Sequence, residues 1–172
     1  ADQSTRPPWL RVIGIGTPED FGGMDRRAGQ SNILGESSTW ISRTPFVPTD
    51  HLHIRGADAK DPQRREALIH RELERMVRKE MGRREWLKSH LNLLEGIEWI
   101  AGRDEEGRER AGTYLGGHFT SWLKFRRERQ KGGGRRGDSH GYGFRLHFKE
   151  HVQGPIVLGY GCHFGLGQFQ AE

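Results

Sequence analysis

Cysteine is almost missing from this sequence. Cys162 stands alone among 172 residues, so no internal disulfide can form and no second thiol is at hand for a zinc site. A reducing, cytoplasmic setting is the natural expectation. Long hydrophobic runs are missing too. No apolar stretch is long enough to span a bilayer and no signal-peptide pattern opens the chain, so a membrane is not an expected partner. Hydrophobic residues make up 33% of the chain against 30% charged, the composition of a soluble protein that is still long enough to bury a core.

Several motifs are absent as well. The glycines near the end follow neither G-x-G-x-x-G nor the P-loop pattern with its Lys-Ser/Thr, so nucleotide binding by those devices is unsupported. None of the nine histidines stands in an H-E-x-x-H pair, and no metal or cofactor is expected. There is no internal repeat. The first residue is Ala1 rather than Met, which fits a piece of a longer protein.

Acids are the scarcer charge: 23 Asp and Glu face 28 Lys and Arg, a net charge of +5. Such a balance favours a polyanionic partner. The surplus is concentrated. Lys124, Arg126, Arg127, Arg129, Lys131, Arg135 and Arg136 fall within thirteen residues, with Glu128 the only acid among them. Trp122 and Phe125 sit beside them, and three glycines at 132–134 make the segment pliable. Cations in this density neutralise phosphates, and neighbouring aromatics can stack on bases. A pliable arginine-rich loop can also follow an RNA groove. Most charge runs are simply solvated, but seven bases against one acid tilt this one toward nucleic acid.

Glycine is plentiful, at 25 residues, and four fall in "LGYGCHFGLGQF" (158–169): Gly159, Gly161, Gly165 and Gly167. Two readings stay open there. The bare backbone presses against a phosphate or base and offers its N–H groups, or it makes a tight packing crossover between two elements.

The pattern of elements is clearer. Residues 7–16 read as a buried strand, and "STWISRTPFVP" (38–48) as a strand running into an extended loop. A polar loop with His51 and His53 follows. The helix at 62–81 has Asp61 as N-cap, Pro62 in its first turn, an apolar stripe of Ile69, Leu73, Met76 and Val77, and Gly82 as its stop. A short helix or turn then leads to a strand through Ile97, Trp99 and Ile100, and a charged loop at 103–112. An extended segment at 118–129 runs into the basic stretch. "YGFRLHFKE" (142–150) alternates cleanly, with Phe144, Leu146 and Phe148 on one face and Arg145, His147 and Lys149 on the other. A turn is expected at Gly154-Pro155. His70 and His147 read as plain surface residues. The order predicts an α+β fold, with helices on one face of an antiparallel sheet.

Residues 140–169, "HGYGFRLHFKEHVQGPIVLGYGCHFGLGQF", resemble the closing segment of CRISPR repeat-processing endoribonucleases of the Cas-six family: a strand, a V-x-G-P-hydrophobic turn and a glycine-rich loop. Together with "TWISRTPFVP" (39–48) and "WLKFRRER" (122–129), they make the chain similar to the second half of the fused Cas-five/Cas-six subunit of type I-G CRISPR systems. The resemblance implies a ferredoxin-like (RNA-recognition-type) sheet. It is either one unit over 1–172 or two, about 1–110 and 111–172, one of them irregular, within a longer fusion protein. It also implies metal-independent cleavage of precursor crRNA. The enzyme would stay on the 3′ handle in a surveillance complex whose other subunits are its partners.

That chemistry needs a base to take the proton of a 2′-hydroxyl, an acid for the leaving 5′-oxygen, and cations around the phosphate. His51 is the first candidate and His140 the second. Tyr142 could orient the hydroxyl, and Arg126, Arg127 and Arg129 could clamp the phosphate. The four glycines would let the backbone approach RNA, while Cys162 would be a buried structural residue. Two other readings stay open: a subunit that binds the crRNA handle without cutting it, and a structural subunit that binds an acidic protein. The RNA readings share one expectation, that the glycine-rich end and the arginine cluster meet on one surface.

Overall fold

The computed structural model describes residues 33–52, 54, 60–100, 112–115, 118–122, 125 and 140–172. The strand expected at 7–16, His53, most of the charged loop and all seven cations of the basic run lie outside the described residues.

The helix α1 (Pro62–Gly82) starts where its sequence says it should. The Asp61 carboxylate accepts the N–H groups of Gln63 and Arg64 at 3.0 and 3.4 Å, with Pro62 in the first turn. Its stripe buries Leu73, Met76, Val77 and Met81. Gly82 is the last helical residue, and Arg83 caps the end in ordinary right-handed geometry. A short helix α2 (Glu85–Lys88) and a 3₁₀ turn (Ser89–Leu93) lead into β2 (Leu94–Ile100), as the sequence predicted.

Four strands form the main sheet: β1 (Glu36–Ser42), β2, β5 (Gly143–Gln153) and β6 (Phe169–Ala171), in the order β2-β5-β1-β6. A separate ribbon of β3 (Gly112–Leu115) and β4 (His118–Ser121) is inserted between β2 and β5. All pairings in the main sheet are antiparallel, so β1 and β2 run parallel with β5 between them. Joined through α1, they make a split β-α-β unit. β5 and β6 are likewise parallel with β1 between them. Their connection, residues 154–168, carries only a 3₁₀ turn (Cys162–Phe164) where a second helix would complete the ferredoxin-like pattern. The fold class is therefore α+β, as expected.

One face of the sheet is closed by α1. Trp40, Phe144, Leu146, Phe148 and Phe169 pack there with Leu73, Met76, Val77 and Met81. Phe46 meets Phe144 edge-on, with ring centroids 5.7 Å apart. The glycine-rich connection contributes Ile156 and Leu158 to the same core. Side chains of this kind contribute about 2 kcal/mol each when buried, so the connection is anchored at its apolar positions.

Candidate nucleic-acid interface

The site is organised by residues 44–50, just past β1. Pro45 and Pro48 cannot donate ladder hydrogen bonds, so the chain leaves the sheet and bonds sideways. Phe46 and Tyr142 exchange N–H···O bonds of 2.8 Å in both directions. The Pro45 carbonyl accepts the Gly167 N–H at 2.9 Å, and the Val47 carbonyl accepts the Tyr160 N–H at 2.8 Å. The Thr44 hydroxyl donates to the Gly165 carbonyl at 2.8 Å and accepts the Gln168 N–H at 2.9 Å. Farther on, Asp50 pairs with Lys79 and Thr49 with Glu80. The bond from Lys79 holds the Asp50 carboxyl below its ordinary value. Residues 44–50 are thus a spine between the glycine-rich turn, the start of β5 and the end of α1.

The four glycines of the turn have φ of 91°, 73°, 88° and 61° at Gly159, Gly161, Gly165 and Gly167. What surrounds them differs. A Cβ on Gly167 would lie 1.7 Å from the Leu158 carbonyl oxygen, and one on Gly159 would lie 2.8 Å from the Val47 oxygen. At Gly167 the close neighbour is the protein's own backbone, and at Gly159 it is backbone together with the Phe46 ring, also at 2.8 Å. At Gly165 a Cβ would meet nothing within 4 Å. Gly161 and Gly165 bracket the Cys162–Phe164 turn, and this bracket holds the part of the segment open to an approaching partner.

Among the candidate catalytic residues, His51 is exposed and directly follows Asp50, while His140 and Tyr142 are half-buried at the start of β5. Tyr142 packs on the core, with its ring 6.4 Å from that of Trp99. Trp99 in turn stacks on His70 at 6.4 Å, so His70 is half-buried in a ring ladder and not the plain surface residue expected. Tyr142 pairs with Phe46 within the spine and His51 directly follows its last residue, so five residues of chain, at most about 17 Å, separate the two attachment points.

The basic run is outside the described residues, but the residues on either side of it are not. A Cβ on Gly143 would fall 1.7 Å from the Trp122 ring, and one on Gly141 would meet Pro45 Cβ at 2.6 Å and the Trp122 carbonyl at 2.8 Å. Trp122, before the run, and Gly141, after it, are therefore seated beside the same Pro45 that receives Gly167.

Sequence reasoning missed a cleft of about 500 Å³ lined by Arg84, Trp86, Gly154, Pro155, Val157, Cys162 and His163. Arg84 Nη2 donates to Cys162 Sγ at 3.2 Å and to Glu80 Oε2 at 3.4 Å, while Arg83 Nη1 donates to Glu80 Oε1 at 2.9 Å. Glu80 is buried and shared, so two guanidiniums and one carboxylate leave one positive charge. Cys162, expected to be buried, is half-buried in the cleft wall. Near it are the large exposed rings of Phe164 (92% exposed), Tyr160 (49%) and Trp86 (43%). Phe164 had a signal in the sequence: a ring bracketed by Gly161 and Gly165 has no strand or helix to carry it inward. Arg84 and Trp86 had none, because nothing local ties them to Cys162, 78 positions away.

The open face of the sheet is different. Its central strands present Thr39, Ile41, Arg145 and His147, with no Phe, Tyr or Trp among them. Arg145 bonds Glu172 at 2.7 Å and Glu98 at 3.0 Å, and His147 lies 3.5 Å from Glu98. The bonds from Arg145 hold both carboxyls below their ordinary value of 4.5 and raise the guanidinium further still. An RNA-recognition sheet stacks bases on aromatics at such positions; this one fills them with ion pairs.

Among the described residues, no group of three or more His, Cys, Asp or Glu could hold a metal ion, and no helix is long and apolar enough to cross a membrane. Comparison with protein-family models, curated proteins and solved structures gives no match.

Proposed function

We propose that this chain grips a folded CRISPR repeat RNA between its glycine-rich turn and its basic run, cleaves the precursor transcript there without a metal ion, and stays on the 3′ handle beside the other subunits of a type I effector complex. The observation that carries the reading is the convergence on Pro45. The Pro45 carbonyl accepts the Gly167 N–H of the turn, a Cβ on Gly141 would meet both Pro45 and the Trp122 carbonyl, and Phe46, next in the chain, pairs with Tyr142. Seven cations follow Trp122 in the sequence, a density that neutralises phosphates.

The reaction needs one proton removed and one supplied. A histidine takes the proton of the 2′-hydroxyl, and the oxygen attacks the adjacent phosphorus. The bond from phosphorus to the 5′-oxygen breaks, the departing oxygen takes up a proton, and a cyclic phosphate remains. Arginines offset the charge that grows on the phosphoryl oxygens. His51 is the first candidate for the base and His140 the second, with Tyr142 orienting the hydroxyl.

The purified protein, mixed with its repeat RNA and a chelator, is expected to cut once, and a deoxy sugar at the cleaved position should block the cut. Replacing the acting histidine by Ala should slow cleavage at least about a hundredfold. Intact RNA in the presence of a correctly folded stem-loop would remove the cleavage step. The second reading is handle binding without cutting. Tight binding that falls steeply with salt, with no product, would identify it.

A further inference from the structure

We propose that the cleft between Trp86 and the Cys162–Phe164 turn is a subsite for an unpaired nucleotide, with its base stacked on the exposed rings and its phosphate met by Arg84 and His163. The inference rests on the RNA-binding reading above and deepens it, by adding single-stranded RNA to a surface argued so far for a folded repeat.

Phe164 is 92% exposed, yet it does not sit on a loose tip. Its N–H donates to the Gly161 carbonyl at 2.8 Å, the Gly165 N–H donates to the Cys162 carbonyl at 3.2 Å, and the Thr44 hydroxyl binds the Gly165 carbonyl. The turn is a fixed pedestal holding one ring in water. The space beside it is open, since an added Cβ at Gly165 would meet nothing within 4 Å. Trp86 and Tyr160 add two half-exposed rings nearby in the fold. A flat ring fixed in solvent with a cation at hand is the arrangement that takes a base on its face and a phosphate at its edge.

A cation is there. Arg84 lines the cleft, with the His163 ring as a further hydrogen-bonding group, and Glu80 is divided between Arg83 and Arg84. The buried Arg84 Nε–H has no partner among the described residues, so the guanidinium gains by turning toward an acceptor that enters the cleft. At about 500 Å³ the cleft falls within the range for small ligands, about 300–1,000 Å³. Its apolar lining beyond the rings is only Pro155 and Val157. This is too little aliphatic floor for a protein anchor, and it is why a nucleotide is preferred to a peptide.

The test is fluorescence anisotropy on the full chain with three labelled probes: a six-uridine single strand, the same strand with every base removed, and a blunt-ended repeat hairpin. The wild type should bind the uridine strand more tightly than its baseless counterpart. Phe164→Ala and Trp86→Ala should each weaken the uridine strand about tenfold while barely changing the baseless strand, and Phe164→Trp should restore binding. If the wild type binds the hairpin but neither Ala variant weakens the uridine strand, the subsite is overturned and the RNA-binding reading stands. If no probe binds, both fall. If Phe164→Ala instead abolishes a self-association seen by sedimentation, the ring belongs to a protein contact and the proposal is wrong.

Discussion

Two charge clusters in this molecule are inversions of each other. At the end of α1 one carboxylate, Glu80, is shared by two guanidiniums, Arg83 and Arg84. On the open face of the sheet one guanidinium, Arg145, is shared by two carboxylates, Glu98 and Glu172. The first cluster has a positive surplus and the second a negative one. Their settings differ as well. Glu80 is buried, with a 7% exposed side chain, while Glu98 and Glu172 are 53% and 44% exposed. The half-exposed ring of Trp86 lines the same cleft as Arg84 of the first cluster. A phosphate is therefore drawn toward the α1 end and the glycine-rich turn and repelled from the sheet face. The surface that an RNA-recognition sheet offers to bases is here occupied by ion pairs, and under the proposed function the binding role falls to the connection that stands where a second helix would be.

The comparison breaks most readily at the turn. Gly167→Ala puts a methyl group 1.7 Å from the Leu158 oxygen at a φ of 61°, so the connection must shift. We expect a loss of about 3 kcal/mol or more, measured by urea denaturation. Gly165→Ala has the same unfavourable φ sign but open space; its cost should be only the left-handed backbone strain, about 1 kcal/mol. Equal losses at the two positions would mean that the turn is not braced against its own backbone. Glu80→Gln should come next, at about 2 kcal/mol, since it leaves Arg83 and Arg84 facing each other over a neutral amide. The same change should strengthen RNA binding at low salt, because it raises the positive surplus beside the cleft.

How much of this could be read beforehand follows from distance along the chain. The α1 helix was legible because its cap, its first-turn proline and its apolar stripe are all local. β5 was legible because Phe144, Leu146 and Phe148 alternate with polar residues. Its place between β1 and β2 was not, since strand order is set by pairings such as Thr39 with His147, which no local pattern encodes. β6 is three residues long and carries one buried ring, Phe169, too little for a periodicity. At the candidate site the positions of the special glycines were legible from composition, but what each one presses against was not. At Gly159 that answer depends on Phe46 and Val47, more than a hundred residues earlier, and at Gly167 on how the turn folds back onto Leu158. Arg84 and Trp86 lie in a stretch that reads as an ordinary helix start, and only the fold brings them to Cys162.

The smallest expected effect sharpens the comparison from the other side. Arg145→Met keeps the apolar stem and removes the charge that Glu98 and Glu172 share. All three side chains are partly exposed, so at pH 7 the loss should be at most about 1 kcal/mol. Its pH dependence is the informative part. Bonds from Arg145 lower both carboxyls below their ordinary 4.5 in the folded protein. Their contribution to stability is therefore present above that value and lost as pH falls through the lower, folded-state values. The difference between wild type and Arg145→Met should be seen in denaturation curves at pH 7 and should shrink as pH falls below 4.5. A difference that does not shrink on acidification would show that Arg145 works through packing rather than through its ion pairs. The sheet face would then lose its standing as the electrostatic opposite of the α1 end.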